Sequence, residues 1–214
     1  MKVGGNIAYQ ETCQNIIKEY QDKGKDYDYL GGIVAWPCVI NNGLTRSQLE
    51  SVGKLINGAV EDNPSSYYRL NTLGAFHYRM GVLLKDNGDS AGLNSFQSAI
   101  ESLERSQRAF ATSRAARISE LRDDRFHPPF TELQEGRAID WIFLAMAYWQ
   151  LDQISNVDSA NYKAKALSYH EMVKRSMQNL LHGSEPDSAR QIWNRVELEH
   201  LYKELGHLVQ SGRQ

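Results

Sequence analysis

Leu70-Asn71-Thr72-Leu73-Gly74-Ala75-Phe76-His77-Tyr78 sets two large apolar residues, a glycine and an aromatic ring at offsets of three, one and three. Trp141-Ile142-Phe143-Leu144-Ala145-Met146-Ala147-Tyr148-Trp149 uses the same offsets, with alanine in the small position. On a helix the small residue lets a neighbour cross close to the backbone, and the large ones fill the gap between stacked helix pairs. Used twice, the pattern predicts an all-α chain, an α-solenoid of helix-turn-helix repeats with about eight helices.

Working back from Leu70, such a repeat ends its second helix with three packing residues at spacings of four and three, then a proline five further on. Val52, Ile56, Ala59 and Pro64 stand in that order, which puts the third and fourth helices in register across one repeat junction. Thr45-Arg46-Ser47-Gln48 reads as a capping box opening the third helix, the Thr hydroxyl and Gln side chain satisfying otherwise unpaired amides. Leu49, Val52, Leu55, Ile56 and Ala59 share one face of that helix, and Asn63-Pro64 ends it. The fourth helix runs from Tyr67 to about Leu84 and closes before the turn Asn87-Gly88-Asp89.

Working forward, Phe96, Ala99, Ile100, Leu103 and Phe110 mark a fifth helix. Ala99 is the small residue expected opposite the fourth helix, about a dozen residues later than an ordinary repeat would place it. The charged run from Ala111 to Arg137 extends that helix to about Leu121 before His127-Pro128-Pro129 breaks it. The sixth helix carries the second motif and ends near Leu151. The seventh runs from about Asp158 to Leu181, with Ala166, Tyr169, Val173 and Met177 inward. A last helix begins at Glu185-Pro186-Asp187, with Ser188 and Gln191 as a capping box, and shows Trp193, Val196, Leu201, Leu205 and Leu208. It would close the exposed end of the stack.

Toward the N-terminus, Cys13, Ile16, Ile17 and Tyr20 follow helical spacing up to Lys23-Gly24. A second helix over Tyr27 to Val39 carries Leu30, Ile33, Val34 and Trp36, with Pro37 kinking it or marking its last turn, and Asn42-Gly43 turns the chain. The expectation is a single helical domain over 1–214, with repeat-like pairs at about 7–41, 45–84, 91–151 and 158–211 and an irregular insert at about 112–135.

Composition narrows the function classes. A formal net charge of -2 over 214 residues provides no global basic field for nucleic acid. The start, MKVGGNIAYQ, has no apolar run behind its lysine, and no stretch reaches the roughly 20 apolar residues of a membrane span. Cys13 and Cys38 lack a C-x-x-C spacing and read as reduced, half-buried thiols, which points to the cytoplasm.

The wording and order of several segments resemble the tetratricopeptide-rich C-terminal portions of bacterial multidomain serine/threonine kinases, notably those of planctomycetes. The segments are Tyr9 to Cys13, Val34 to Val39, Leu70 to Gly81 and Asp140 to Leu151. The resemblance implies a protein-interaction module and nothing catalytic, since no Gly-rich phosphate loop, H-R-D or D-F-G occurs. By the family's geometry, Tyr68, Asn71, Ala75, Tyr78 and Arg79 from one repeat would face a concave groove. Ile139, Ile142, Met146, Trp149 and Gln150 from the next would continue it. The lining lacks the paired Lys and Asn residues with which chaperone-binding members clamp a C-terminal carboxylate. Its aromatic and methionine content suits an apolar or amphipathic segment of a protein or peptide partner.

Other chemistry reads as structural. Glu197-x-x-His200 and Glu204-x-x-His207 have di-iron spacing, but such sites draw their pairs from two helices, whereas both of these share one. His77 and His170 read as packed rings, and neither cysteine has a positioned base. No catalytic, metal or cofactor residue is therefore expected. Arg105, Arg108, Arg114, Arg117 and Arg122 interleave with Glu101, Glu104, Glu120, Asp123 and Asp124, as on a solvated face. Phe126 and Phe130 flank the double proline and either fold back or meet a partner. The runner-up is a small helical enzyme or ligand-binding protein with an enclosed cavity; a third reading is the regulatory appendage of a kinase.

Overall fold

In a computed structural model of the protein, which describes residues 3–21, 31–120, 130–155, 159–181 and 189–211, the capping box at Thr45 forms as expected. The Thr45 hydroxyl accepts from the Gln48 amide, and the Gln48 Oε1 accepts from the Thr45 amide at 2.8 Å. Every regular element among the described residues is a helix. These are α1 (Val3–Gln21), α2 (Gly31–Ile40), α3 (Arg46–Asp62), α4 (Tyr67–Asp86), α5 (Ala91–Glu120), α6 (Phe130–Ile154), α7 (Ser159–Leu181) and α8 (Ala189–Ser211). The all-α expectation therefore holds. The chain divides into two compact units, Met1–Ala109 and Phe110–Gln214. The expected capping box at Ser188 and the first three residues of the double-proline break, 127–129, lie outside the described residues.

In the N-terminal unit, α4 is the element on which the others are laid. Gly74 and Gly81, two turns apart, admit α5: an ideal Cβ on Gly74 would stand 2.5 Å from Leu103 Cγ, and one on Gly81 2.7 Å from Phe96 Cε1. The Ala99 carbonyl lies 3.2 Å from the same Gly74 position, so the small residue expected opposite the motif is where the helices cross. Ser106 of α5 is fully buried and donates its hydroxyl to the Tyr67 carbonyl at 2.9 Å, fixing the start of α4 to α5. On the other side α3 meets α4 with Val52, Ile56 and Ala59 fully buried and Gly53 under the Phe76 ring. Turns come where glycine allows them: Gly43 after α2 has φ 115° and Gly88 after α4 has φ 71°.

In the C-terminal unit, α6 is buried on nearly all sides. From Ala138 to Leu151 only Trp141 is more than slightly exposed, and α7 and α8 both pack on it. A helix apolar all round has to be central. Ala166, Val173 and Met177 of α7 are buried as expected, with Tyr169 half-buried. On α8 Leu201 and Leu205 are buried as expected, together with Leu198 and Val209; Val196 is exposed and Leu208 half-buried, and the Trp193 side chain lies outside the described residues. Positions 198, 201, 205 and 209 recur at helical spacing, and Val196 lies about half a turn away from that stripe.

A valine at position 74 would drive two methyls into Leu103. Gly74→Val should lower stability by about 1–3 kcal/mol in urea unfolding. Combined with Leu103→Ala, the cost should be less than the sum of the two single costs, because the new side chain fills part of the space the leucine leaves.

Candidate functional site

The last four carbonyls of any helix lack intrahelical partners. In α2 these belong to Pro37, Cys38, Val39 and Ile40, and side chains from two other helices satisfy all four. The Tyr9 hydroxyl of α1 lies 3.0 Å from the Pro37 oxygen and 2.7 Å from that of Cys38, its one proton shared between them. Arg79 of α4, only 3% exposed, donates through Nε to the Val39 carbonyl at 2.8 Å and through NH2 to that of Ile40 at 2.5 Å. Its NH1 reaches the Asn42 side-chain oxygen at 2.5 Å. The cation thus sits on the negative end of the α2 dipole. Arg69 repeats the device at the end of α3, donating to the Ala59 carbonyl and to Asp62, each at 2.6 Å.

Because α2 stops at Ile40, the second half of α4 is left beside the connection to α3 rather than beside another helical turn. A partly open cleft of about 470 Å³ results, lined by Asn41, Asn42, Thr45, Arg79, Val82 and Asp86 among others.

Most of the residues expected to line a concave groove are buried within their own unit. Tyr68 is 58% exposed and Asn71 half-buried, but Ala75, Tyr78 and Arg79 are buried. Tyr78 turns its ring to Phe96 of α5, centroids 5.9 Å apart, while Arg79 is taken up by α2. Ile139, Ile142, Met146, Trp149 and Gln150 belong to the enclosed part of α6. Tyr78 and Trp149, expected on a groove wall, are each buried within their own unit. Ile33, one of the apolar residues named for the second helix, is 71% exposed. Gly32 takes the inward place instead, resting on the Arg69 stem and Ile56.

Three ionisable side chains missed as a group by the sequence reading meet where α1 crosses α2. Cys13 and Cys38 are both buried and free, and the Cys38 thiol lies 3.9 Å from the Val34 carbonyl one turn back in its own helix. The neighbouring Cys38 thiol holds that of Cys13 below its ordinary pKa against the opposing effect of burial. The Cys13 thiol and burial push Cys38 up, and burial with the two sulfurs pushes Tyr9 up. The only sequence signal was that Tyr9 and Cys13 stand one helical turn apart.

The four described histidines are packed or exposed rings. His77 lies against Phe76, centroids 5.0 Å apart, and burial lowers its pKa to about 4. His170 stacks on Tyr202, while His200 and His207 are exposed. Among the described residues no three His, Cys, Asp or Glu side chains group as metal ligands, and no helix is long and apolar enough to cross a membrane. Arg105 and Arg108 are exposed, with Arg108 4.0 Å from Glu104 one turn back. The side chains of Arg114, Arg117, Arg122, Phe126 and Phe130 lie outside the described residues.

Comparison of the chain with protein-family models, curated proteins and solved structures gives no match in any of the three.

Arg79→Met keeps the stem and removes the donors, leaving the Val39 and Ile40 carbonyls without them. It should cost about 2–4 kcal/mol in urea unfolding, against about 1 kcal/mol for Tyr9→Phe. His77 supplies a pH dependence. Its folded pKa of about 4 lies below the ordinary 6.5, so the folded state binds fewer protons than the unfolded one between those values. The stability it contributes is complete above pH 6.5 and is lost as pH falls to about 4. In urea unfolding at a series of pH values, His77→Phe should lose less stability over that window, the difference in slope being at most about 1.4 kcal/mol per pH unit.

Proposed function

We propose that this chain is a non-enzymatic protein-interaction module, a tetratricopeptide-like helical stack that receives an apolar or amphipathic segment of a protein partner in the cytoplasm. The observation that carries the reading is the pair of large exposed side chains at adjoining helix starts. Gly32 of α2 rests on Arg69 of α4, and the residues next to them in sequence, Ile33 and Tyr68, are the two most exposed large hydrophobics of the described residues. Tyr68 stands at the first groove position implied by the tetratricopeptide resemblance, with Asn71 one turn on. Exposed aromatic and branched side chains on a rigid helical frame are the anchors that dominate protein interfaces. The register of α3, α4 and α5, with small residues at each crossing, supports the repeat-like reading.

A second reading rests on the cleft beside Arg79. Its volume is within the range of small-molecule sites, and it mixes apolar walls with amide, hydroxyl and carboxylate groups.

Quantitative affinity capture from the lysate of the source cell distinguishes the two. An Ile33→Ser, Tyr68→Ala variant, shown by circular dichroism to keep its helicity, should lose at least about tenfold of a specific partner that the wild type retains, the equivalent of about 1.4 kcal/mol. Equal capture by both proteins would remove Ile33 and Tyr68 from the interface and leave the cleft as the place to search.

A further inference from the structure

We propose that Asn42 is a self-modification site, an asparagine that closes on the Gly43 nitrogen, loses ammonia and becomes an aspartate paired with Arg79. The chain holds three Asn-Gly pairs, Asn42-Gly43, Asn57-Gly58 and Asn87-Gly88, in which no side chain on the second residue blocks the approach of its nitrogen to the asparagine carbonyl. Reactivity that belongs to the sequence alone is common to all three, and the structure separates them. Asn57 and Gly58 lie inside α3, where the Gly58 N–H belongs to the helical ladder, and the Asn57 amide donates to the Gly53 carbonyl at 2.8 Å. Gly88 donates its N–H to the Lys85 carbonyl at 2.9 Å, and the Asn87 amide donates to that of Leu83 at 2.8 Å. An N–H held by a carbonyl is turned to that acceptor and must give up the bond before its nitrogen can attack. The Gly43 N–H donates no hydrogen bond among the described residues, and Gly43 stands in the connection after α2 with φ 115°.

Arg79 supplies the activation. Buried itself, it donates through NH1 to the Asn42 side-chain oxygen at 2.5 Å, so a cation polarises the carbonyl under attack and faces the negative charge that grows on Oδ1. Asn42, Gly43 and Arg79 all line the cleft of about 470 Å³, and Asn42 and Gly43 are exposed, so water and hydroxide reach the pair. Hydroxide takes the Gly43 amide proton, and the nitrogen bonds to the Asn42 Cγ. The Cγ–Nδ2 bond breaks, and the leaving nitrogen takes up a proton and departs as ammonia, closing a five-membered succinimide. Water then opens the ring. Attack at Cγ breaks the new bond and gives aspartate; attack at the main-chain carbonyl gives isoaspartate, with the chain running through the side-chain carbon. Arg79 polarises the first of these carbonyls, so aspartate is favoured. The sum is asparagine plus water giving aspartate plus ammonia. The new carboxylate stands at a guanidinium whose Nε and NH2 already hold the Val39 and Ile40 carbonyls, and a hydrogen bond to a neutral amide becomes an ion pair.

The experiment incubates the full chain at mildly alkaline pH, folded and, in parallel, unfolded in urea. Peptide mapping follows the gain of about 1 Da at each Asn-Gly pair, with chromatographic separation of aspartate from isoaspartate. In urea the three pairs should convert at rates within about threefold of one another. In the folded chain Asn42 should keep at least its urea rate, whereas Asn57 and Asn87 should fall at least about tenfold below theirs. The ratio of aspartate to isoaspartate at position 42 should be higher folded than unfolded. Asn42→Asp, which supplies the product directly, should move the urea midpoint of unfolding upward. A rate at Asn42 below its urea value would overturn the proposal. So would Asn57 or Asn87 converting first in the folded chain, an aspartate share at position 42 no higher than in urea, or an Asn42→Asp midpoint at or below that of the wild type.

Discussion

The end of α2 needs four hydrogen-bond donors, and much of the N-terminal unit is arranged to supply them. α2 is a short helix that stops against Asn41, Asn42 and a left-handed Gly43. Tyr9 and Arg79 supply the donors from opposite sides. A buried guanidinium is costly unless its donors are occupied, and buried carbonyls are costly unless they accept; here each group satisfies the other. That exchange fixes where α1 lies on α2 and where α2 lies on α4. It also sets the cleft beyond Ile40.

The same residue shows why positions expected on a groove wall are buried. Arg79 and Tyr78 occupy positions that the tetratricopeptide resemblance assigns to a ligand-facing surface, yet one is turned to backbone carbonyls and the other to Phe96. On α6, Met146, Trp149 and Gln150 are buried, because a helix of that uniform apolarity is stable only when covered, and α7 and α8 both pack on it. What remains accessible is the start of α4 with Tyr68, and the start of α2 with Ile33. The proposed interaction surface is correspondingly smaller than a continuous groove and lies at helix starts.

Much of the helical layout was legible in the chain. The Thr45 capping box, the Asn42-Gly43 and Asn87-Gly88 turns and the inward stripes of α3, α5 and α7 follow from rules acting within a few residues. Even one long-range feature was readable, the crossing of α4 and α5 at Gly74 and Ala99, since a glycine in a helix is costly unless something needs the space. The exposed apolar positions involve choices between faces. Ile33 is apolar and yet exposed, because Gly32 has the smaller volume and takes the contact. Val196 was named with the apolar residues of α8 and is exposed, while Leu198, Leu201, Leu205 and Val209 are buried.

The sequence by itself determined that the chain is helical, where the helices of its regular parts begin and turn, and where neighbouring helices approach most closely. These depend on local hydrogen bonding, backbone freedom and side-chain size, all carried by short stretches of residues. The tertiary structure decided which polar groups answer one another across long separations. Tyr9 with the Pro37 and Cys38 carbonyls, and Arg79 with those of Val39 and Ile40, have no spacing rule that announces them. Such partners are chosen only when burial removes water from a group, and which group lies nearest at that point depends on how the helices have already packed.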